Sequence, residues 1–144
     1  MKYKKKDLLI DGFRAEKLAK KYSTPIYCYS LKKVRENIAK FKKNFKKIKP
    51  LICFAVKANS NKVLLREIGK LGLGADVVSI GELMKALKSG IRPNKIVFSG
   101  VGKTAKEIGY AIDKKILLIN AESKSEIKQI ENIAKYKKKK INLV

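Results

Sequence analysis

The 144-residue sequence contains no histidine and only two cysteines. Without histidine, these residues form neither a histidine metal site nor a Ser–His or Cys–His nucleophile pair. Cys28 and Cys53 each lie inside an apolar or aromatic run. Cysteines placed in this way are typical of buried thiols in a reducing compartment and not of a disulfide framework, so the sequence predicts a cytoplasmic protein.

Long apolar runs are also missing. No run approaches the roughly 18 residues that a membrane-spanning helix needs. The basic start, MKYKKKDLLIDG, places Asp7 and Asp11 on either side of only three apolar residues, which is too short for the core of a signal peptide. We therefore expect no membrane partner.

Acidic residues are scarce, since 12 Asp+Glu stand against 36 Lys+Arg and the net charge is +24. Such a balance suits nucleic acid, and a basic nucleic-acid-binding module is the non-enzyme alternative for this chain. However, the lysines are spread along the whole sequence, and arginine, which suits bidentate contacts with bases, occurs only at Arg14, Arg35, Arg66 and Arg92. We interpret the charge as a compositional bias and expect no specific nucleic-acid partner.

From residue 51 onwards, short apolar runs alternate with amphipathic segments of helical spacing. The predicted strands are 51–56, 75–78, 95–98, 116–119 and 141–144, and the predicted helices are 62–71, a segment ending near 88, 105–112 and 124–136. This alternation predicts an α/β protein with a parallel sheet covered on both faces. The sheet would be either an open doubly wound sheet or part of a (β/α)8 barrel.

A four-residue pattern marks the start of three of these helices. Ser79–Glu82, Thr104–Glu107 and Ser123–Glu126 each follow the pattern [ST]-x-x-E. In a capping box of this kind the hydroxyl and the carboxylate each accept a hydrogen bond from the other residue's backbone. Because each box follows a predicted strand directly or after a short loop, the pattern supports the order strand, cap, helix.

The first 50 residues show a different pattern. They predict a helix over 13–22, a strand over 26–29 and a helix over 31–47 that is capped by Ser30. The first of these helices is expected to end before Pro25, because the residue that precedes a proline is pushed out of the α region.

Lys57 is the strongest catalytic candidate. It follows the apolar run 51–56 at the carboxyl end of the first strand of the array, and ligands bind at that end of parallel strands. A lysine held beside apolar walls loses its preference for the charged form and becomes available as a nucleophile for a Schiff base. The competing interpretation is an ordinary charged residue that ends a strand.

Other motifs are less specific. Gly102-Lys103-Thr104 is similar to the end of a phosphate-binding P-loop, but Val97 occupies the position of the first glycine, so we predict a plain connection. The segment 71–74 is predicted to be a helix C-cap and turn. Glu82 is explained by its capping box, whereas Asp76 in an apolar run needs a partner.

Six segments, taken together, resemble one known family, the fold-type-III pyridoxal-phosphate decarboxylases, and within it the branch that acts on diaminopimelate. They keep the order and spacing of the family and cover nearly the whole chain. The segments are Leu9–Gly12, Thr24–Tyr29, Phe54–Asn59, Gly74–Leu83, Phe98–Thr104 and Asn120–Ser123.

The resemblance implies a fold and a division of the chain. The fold is the N-terminal half of an alanine-racemase-like (β/α)8 TIM barrel, with about four βα units and the start of a fifth strand. Residues 1–30 would be a helix and strand that precede the barrel, and residues 31–144 would be a partial barrel that binds pyridoxal phosphate.

The resemblance also implies a reaction, the decarboxylation of meso-2,6-diaminopimelate to L-lysine. Lys57 would form the Schiff base with pyridoxal 5'-phosphate, Ala55, Asp76 and Ser99 would lie near the cofactor, and Glu82 would lie near or behind it. No metal is implied. The partners would be a small amino-acid substrate and, in the full-length protein, a second copy in a homodimer.

Three alternatives stay open at this point. The substrate of a related enzyme could be ornithine, arginine or carboxynorspermidine, or the chain could be a non-catalytic cofactor carrier or the nucleic-acid-binding module. Residues that the family uses for phosphate binding, ring stacking and substrate contact lie beyond Val144 in its pattern.

We accordingly predict that residues 1–144 alone are inactive, and poorly soluble because half a barrel leaves two sheet edges open. A decarboxylation assay of the purified segment tests this, and appreciable CO2 release would contradict it.

Overall fold

A computed structural model describes residues 1–144, which divide into two compact units, Met1–Lys49 and Pro50–Val144. The two compact units divide after Lys49. The division after residue 30 that the resemblance implied stays a prediction. Every fully buried apolar side chain belongs to the second unit. The core of the chain is thus built from the βα array.

The first unit contains a small antiparallel sheet that the sequence analysis missed. Its strands pair in the order β1 (Lys2–Lys4), β2 (Asp7–Ile10) and β3 (Phe13–Arg14). Asp11 and Gly12 join β2 to β3, and both have positive φ angles, 49° and 91°. An Asp-Gly pair is a strong hairpin signal because both central residues of a type I′ turn need positive φ.

Two helices complete this unit, α1 (Ala15–Tyr22) and α2 (Leu31–Asn44). α1 begins two residues later than predicted, because Phe13 and Arg14 pair with β2. Ser30 caps α2 as predicted, since its Oγ accepts a hydrogen bond from the Lys33 backbone N–H at 2.9 Å.

The predicted strand over 26–29 is wrong. These residues form no strand, because no segment pairs with them, and apolar and aromatic composition by itself does not supply a ladder of hydrogen bonds.

The second unit is a five-stranded parallel sheet with helices between its strands, as predicted. The strands pair in chain order, from β4 to β8. The elements are β4 (Cys53–Ala55), α3 (Lys62–Lys70), β5 (Gly74–Val77), α4 (Ile80–Lys88), β6 (Ile96–Phe98), α5 (Ala105–Asp113), β7 (Leu118–Ile119), α6 (Lys124–Tyr136) and β8 (Asn142–Leu143).

Burial alternates along the strands, so the two faces of the sheet differ. Ala75, Val77, Ile96, Phe98 and Ile119 are fully buried and form the core with apolar residues of the helices. The intervening residues are only half-buried, and they are Cys53, Ala55, Asp76, Val97 and Leu118. The expectation that both faces are covered is therefore wrong for these residues: helices cover one face, and the side chains of the other are only half-buried.

The three predicted capping boxes differ in their hydrogen bonds. Only Thr104 and Glu107 form the full reciprocal box at the start of α5. Ser79 and Ser123 accept the expected hydrogen bonds from Glu82 N and Glu126 N, but each glutamate reaches one residue further back, to the N–H of Val78 or Glu122. These two carboxylates thereby hold the end of the preceding loop as well as the helix.

Gly74 shows how closely β5 packs between its neighbours. Segment 71–74 forms the predicted helix end and turn, with Gly72 at φ +74° and Leu73 N donating to Ile68 O at 3.2 Å. A Cβ on Gly74 would overlap the Lys95 carbonyl oxygen and lie 2.8 Å from the Cys53 Sγ. Only glycine fits this position without a backbone shift.

We predict that Gly74→Ala lowers the free energy of unfolding by about 1–3 kcal/mol, the usual cost of overpacking, because the obstacle is backbone. Urea unfolding measures the change. Gly81→Ala is the matched control, since its Cβ would meet only Ser79 Oγ, at 3.8 Å, and we expect no loss there. Equal stability of the two variants would contradict the assignment.

Candidate active site

The carboxyl ends of the parallel strands meet along one edge of the sheet, and the ladder continues one residue beyond two of them. Ser99 N donates to Val77 O at 2.8 Å, and Asn120 N donates to Phe98 O at 2.9 Å. Both residues are therefore held by the sheet even though they belong to the loops. Ser99 follows the half-buried Val97 by two residues, and Asn120 follows the half-buried Leu118 by two residues.

A hydrogen-bonded chain of three side chains crosses this edge. The Ser99 hydroxyl donates to Asp76 Oδ1 at 2.5 Å, and Asn120 Nδ2 donates to Ser99 Oγ at 2.9 Å. All three residues are half-buried. The network gives Asp76 the partner that the sequence analysis required, and it fixes the direction of the Ser99 hydroxyl, because the proton points to the carboxylate while the oxygen accepts from the amide.

Ala55 is the direct neighbour of Asp76 in the parallel register of β4 and β5. Its side chain is only a methyl group, on the same half-buried face. Cys53 lies two residues earlier on the same face, and burial raises the pKa of its thiol above the ordinary value, with the charge of Asp76 adding to the shift. This thiol stays protonated and is not a nucleophile at neutral pH.

Lys57 lies immediately beyond β4, in a short 3-10 turn over Val56–Ala58, and not in the strand as predicted. The turn forms because Val56 is fully buried and its carbonyl accepts from Asn59 N at 3.1 Å. The Lys57 side chain is exposed and makes no hydrogen bond or ion pair. The predicted apolar walls do not enclose it in this chain, but the amine is free to react.

Asn59 adds an unusual feature two residues from Lys57. Its Oδ1 accepts from Asn61 N at 2.9 Å, whereas its Nδ2 is buried without a hydrogen-bond partner. A buried donor without an acceptor is costly, and such groups are found where a ligand or water completes the site.

Glu82 lies outside this network. Its carboxylate accepts from Val78 N at 2.9 Å at the start of α4. The structure therefore places Glu82 behind the loop that follows β5, while Ala55, Asp76 and Ser99 lie together on the open face.

Two further glutamates tie neighbouring loops together at the same edge. Glu107 Oε1 accepts from Ile80 N at 3.0 Å, and Glu122 Oε1 accepts from Gly100 N at 3.1 Å. Hydrogen bonds from the backbone of Thr104 and then of Ile80 hold the pKa of Glu107 below its ordinary value. Each loop is thus fixed by a carboxylate from the next βα unit.

The sequence analysis predicted Lys57, Ala55, Asp76, Ser99 and Glu82 as site residues but did not assign roles to Asn120 and Asn59. A signal was present for both, because Asn120 directly follows a strand and Asn59 closes the turn after Lys57. No group of three or more Cys, Asp or Glu side chains is arranged to hold a metal ion. None of the helices combines the length and apolarity that crossing a bilayer requires.

Comparison with known proteins identifies the class. Residues 31–143 match the family "Pyridoxal-dependent decarboxylase, pyridoxal binding domain". The chain belongs to this family of pyridoxal-dependent decarboxylases, as the sequence motifs predicted.

Several similar proteins within the class are diaminopimelate decarboxylases. One from Helicobacter pylori strain J99 is 52% identical over 85% of this chain and 30% of its own length. The structure of the H. pylori enzyme complexed with L-lysine is 47% identical, with a TM-score of 0.85 over 89% of this chain and 32% of that chain. The M. jannaschii enzyme in co-complex with L-lysine is 36% identical, with a TM-score of 0.95 over 99% of this chain and 34% of that chain.

The chain thus spans about a third of the length of the relatives it matches. These relatives are TIM-barrel decarboxylases, and the sheet from β4 to β8 with its helices corresponds to part of that barrel. The predicted α/β class and partial barrel are confirmed.

We predict that Glu107→Gln lowers the free energy of unfolding at neutral pH by about 1 kcal/mol, the usual value of a helix cap. Because the folded-state pKa is depressed, the stability that the carboxylate contributes is present above the ordinary value of 4.5 and is lost as the pH falls through the lower folded-state pKa. The difference between parent and variant should therefore shrink in acid.

Urea unfolding at several pH values measures this effect. Glu131→Gln is the control, because Glu131 pairs only with Lys135 on the exposed surface of α6, and added salt should remove its small effect. A Glu107→Gln effect that persists unchanged to pH 3 would show that the charge is not responsible.

Proposed function

We propose that the full-length protein decarboxylates meso-2,6-diaminopimelate to L-lysine with pyridoxal phosphate. The observation that carries the proposal is an unpaired lysine, Lys57, at the strand ends that also hold the Asp76–Ser99–Asn120 network. The kinship with diaminopimelate decarboxylases at 44% and 52% identity supports the choice of substrate.

The residues at this edge fit the cofactor chemically. A primary amine that is exposed and free of ion pairs suits covalent attachment to an aldehyde. Asn59 Nδ2 is a buried donor without a hydrogen-bond acceptor, and an oxygen of the cofactor or substrate would supply that acceptor. Asp76 Oδ2 also makes no hydrogen bond, so it can accept one from a bound group.

In this proposal Lys57 binds the cofactor covalently through Nζ. Asp76 and Ser99 orient it at the open face, Asn120 keeps the Ser99 hydroxyl directed towards Asp76, and Ala55 leaves room for it. Glu82 does not contact the cofactor in this proposal; it supports the site by holding the backbone of Val78 at the end of β5.

Bound pyridoxal phosphate supplies an electron sink for the negative charge that is left when CO2 departs from the substrate. The contribution of this chain is to hold the reacting group in place. Its hydroxyl, amide and carboxylate are already hydrogen-bonded to one another, and the backbone of Ser99 and Asn120 is held by the sheet, so little reorganisation is needed when the ligand arrives.

We also propose that the full-length protein is a cytoplasmic homodimer. Both cysteines are free thiols, as expected in a reducing compartment. The homodimer follows from the family resemblance, and sedimentation of the full-length protein at the mass of one chain would contradict it.

We predict that Lys57→Ala abolishes borohydride trapping of the cofactor in the full-length protein and reduces CO2 release from meso-diaminopimelate to background, because no other amine replaces its Nζ. Mass spectrometry of the trapped protein and a CO2 assay measure the two effects. Lys62→Ala is the matched control, since Lys62 is another exposed lysine five residues along the chain, and both readouts should be retained.

Two results would overturn the proposal. Trapping that persists in Lys57→Ala would assign the cofactor to another lysine. Faster CO2 release from ornithine or arginine than from meso-diaminopimelate would assign the enzyme to a related substrate.

A further inference from the structure

Lys103 is the one buried lysine of the chain. Its side chain is 1% exposed, and its Nζ lies 3.1 Å and 3.2 Å from the two carboxylate oxygens of Glu126, whose side chain is 9% exposed. The same Nζ lies 6.0 Å from the centre of the Phe98 ring. The remaining lysines of this chain are half-buried or exposed, so this ion pair differs from the surface pairs.

The pair is connected to the loops at the edge of the sheet. Lys103 Nζ donates to Gly100 O at 2.5 Å, and Glu126 Oε2 accepts from Glu122 N at 2.8 Å. Glu122 Oε1 in turn accepts from Gly100 N at 3.1 Å. Both backbone polar groups of Gly100 are therefore held. Lys103 holds the carbonyl directly, and Glu122, whose own backbone is fixed by Glu126, holds the N–H.

Gly100 is the residue next to Ser99 in the site. Its φ angle is +94°, and a Cβ at this position would lie 3.4 Å from Val78. The chain leaves the ladder here, since Ser99 N still bonds to β5 but Gly100 N bonds to a side chain. The direction of the loop beyond Ser99 is thus set by these side-chain contacts.

Stability alone does not account for the pair. Two charges lose hydration on burial, and replacement of a buried ion pair by apolar residues of similar size is often neutral or stabilising. The pair instead fixes the orientation of two loops, because Lys103 Nζ holds Gly100 O and Glu126 Oε2 holds Glu122 N.

We infer that the Lys103–Glu126 ion pair is a positioning device that fixes Gly100 and thereby aims the Ser99 hydroxyl at Asp76. The inference rests on the proposed function, in which Ser99 orients the bound cofactor. Lys103 and Glu126 are positioning residues, since neither belongs to the Asp76–Ser99–Asn120 network and both act through the backbone next to it.

The test uses Lys103→Met, Glu126→Gln and the double variant Lys103→Met/Glu126→Leu in the full-length protein. The double variant leaves no unpaired buried charge, so it separates positioning from a folding defect. Lys135→Met and Glu131→Gln are matched controls, because they remove an exposed Lys–Glu pair of the same helix, α6.

The first readout needs no activity. We expect hydrogen–deuterium exchange at the Gly100 and Glu122 amides to rise by about tenfold or more in all three variants, because the loops open more easily once the contacts of the pair with Gly100 O and Glu122 N are lost or weakened. Amides of the sheet core should not change, and the control variants should match the parent. Unchanged exchange at Gly100 in all three variants would overturn the inference.

The second readout concerns the reaction. We expect kcat of the three variants to fall by about 10- to 100-fold at saturating cofactor, which is the scale of a small misplacement of a group in the site. Borohydride trapping at Lys57 should persist. The melting temperature of the double variant should stay near that of the parent. The absorbance maximum of the bound cofactor should also shift. A kcat within about twofold of the parent in the double variant, or a double variant that does not fold, would assign the pair to stability and overturn the inference.

A double-mutant cycle with Ser99→Ala tests whether the fall in kcat is transmitted through Ser99. If Lys103→Met acts through Ser99, it should cost much less in the Ser99→Ala background than in the parent. Equal costs in the two backgrounds would overturn the inference. If the parent shows no decarboxylation but Gly100 exchange rises in the variants, the proposed function fails while the positioning of the loop stands.

Discussion

The parallel register from β4 to β7 is the constraint on which the rest of the candidate site depends. Ala55 pairs with Asp76, Asp76 with Val97, and Val97 with Leu118, so one row of side chains crosses the half-buried face. Two residues further along two of these strands come Ser99 and Asn120. A shift of one residue in any pairing would turn the corresponding side chain to the helix-covered face and break the hydrogen bonds between Asp76, Ser99 and Asn120.

A second layer of interactions holds the loops that follow the strands. In a chain of net charge +24, four of the 12 acidic residues accept hydrogen bonds from backbone N–H groups at this edge: Glu82, Glu107, Glu122 and Glu126. Although carboxylates are few in this chain, a third of them are concentrated at this edge of the sheet. They support the loops around an amine, Lys57, that is itself left without a partner.

Local chemistry explains which features were predictable. The hydroxyl caps at Ser30, Ser79, Thr104 and Ser123 form as predicted, because a cap depends on residues three apart in the chain. The strand predicted at 26–29 failed because a strand needs a partner, and the hairpin around Asp11-Gly12 was missed although its turn signal is local. The reach of Glu82 and Glu126 to Val78 and Glu122, one residue before the expected N–H, depends on how each loop enters its helix.

The sequence by itself determined the family and the alternation of strands and helices, and it made Lys57 the catalytic candidate, because motifs and periodicity are written in neighbouring residues. Tertiary structure decided that Lys57 lies in a turn after β4, that Ser99 joins Asp76 across 23 positions of sequence, and that Lys103 is buried against Glu126. The motif Gly102-Lys103-Thr104 marks Lys103 in the sequence, but nothing local predicts that its side chain is buried. Its burial follows from the register of β6 and β7 and from the packing of α6, which bring its partner within reach only when the whole sheet has formed.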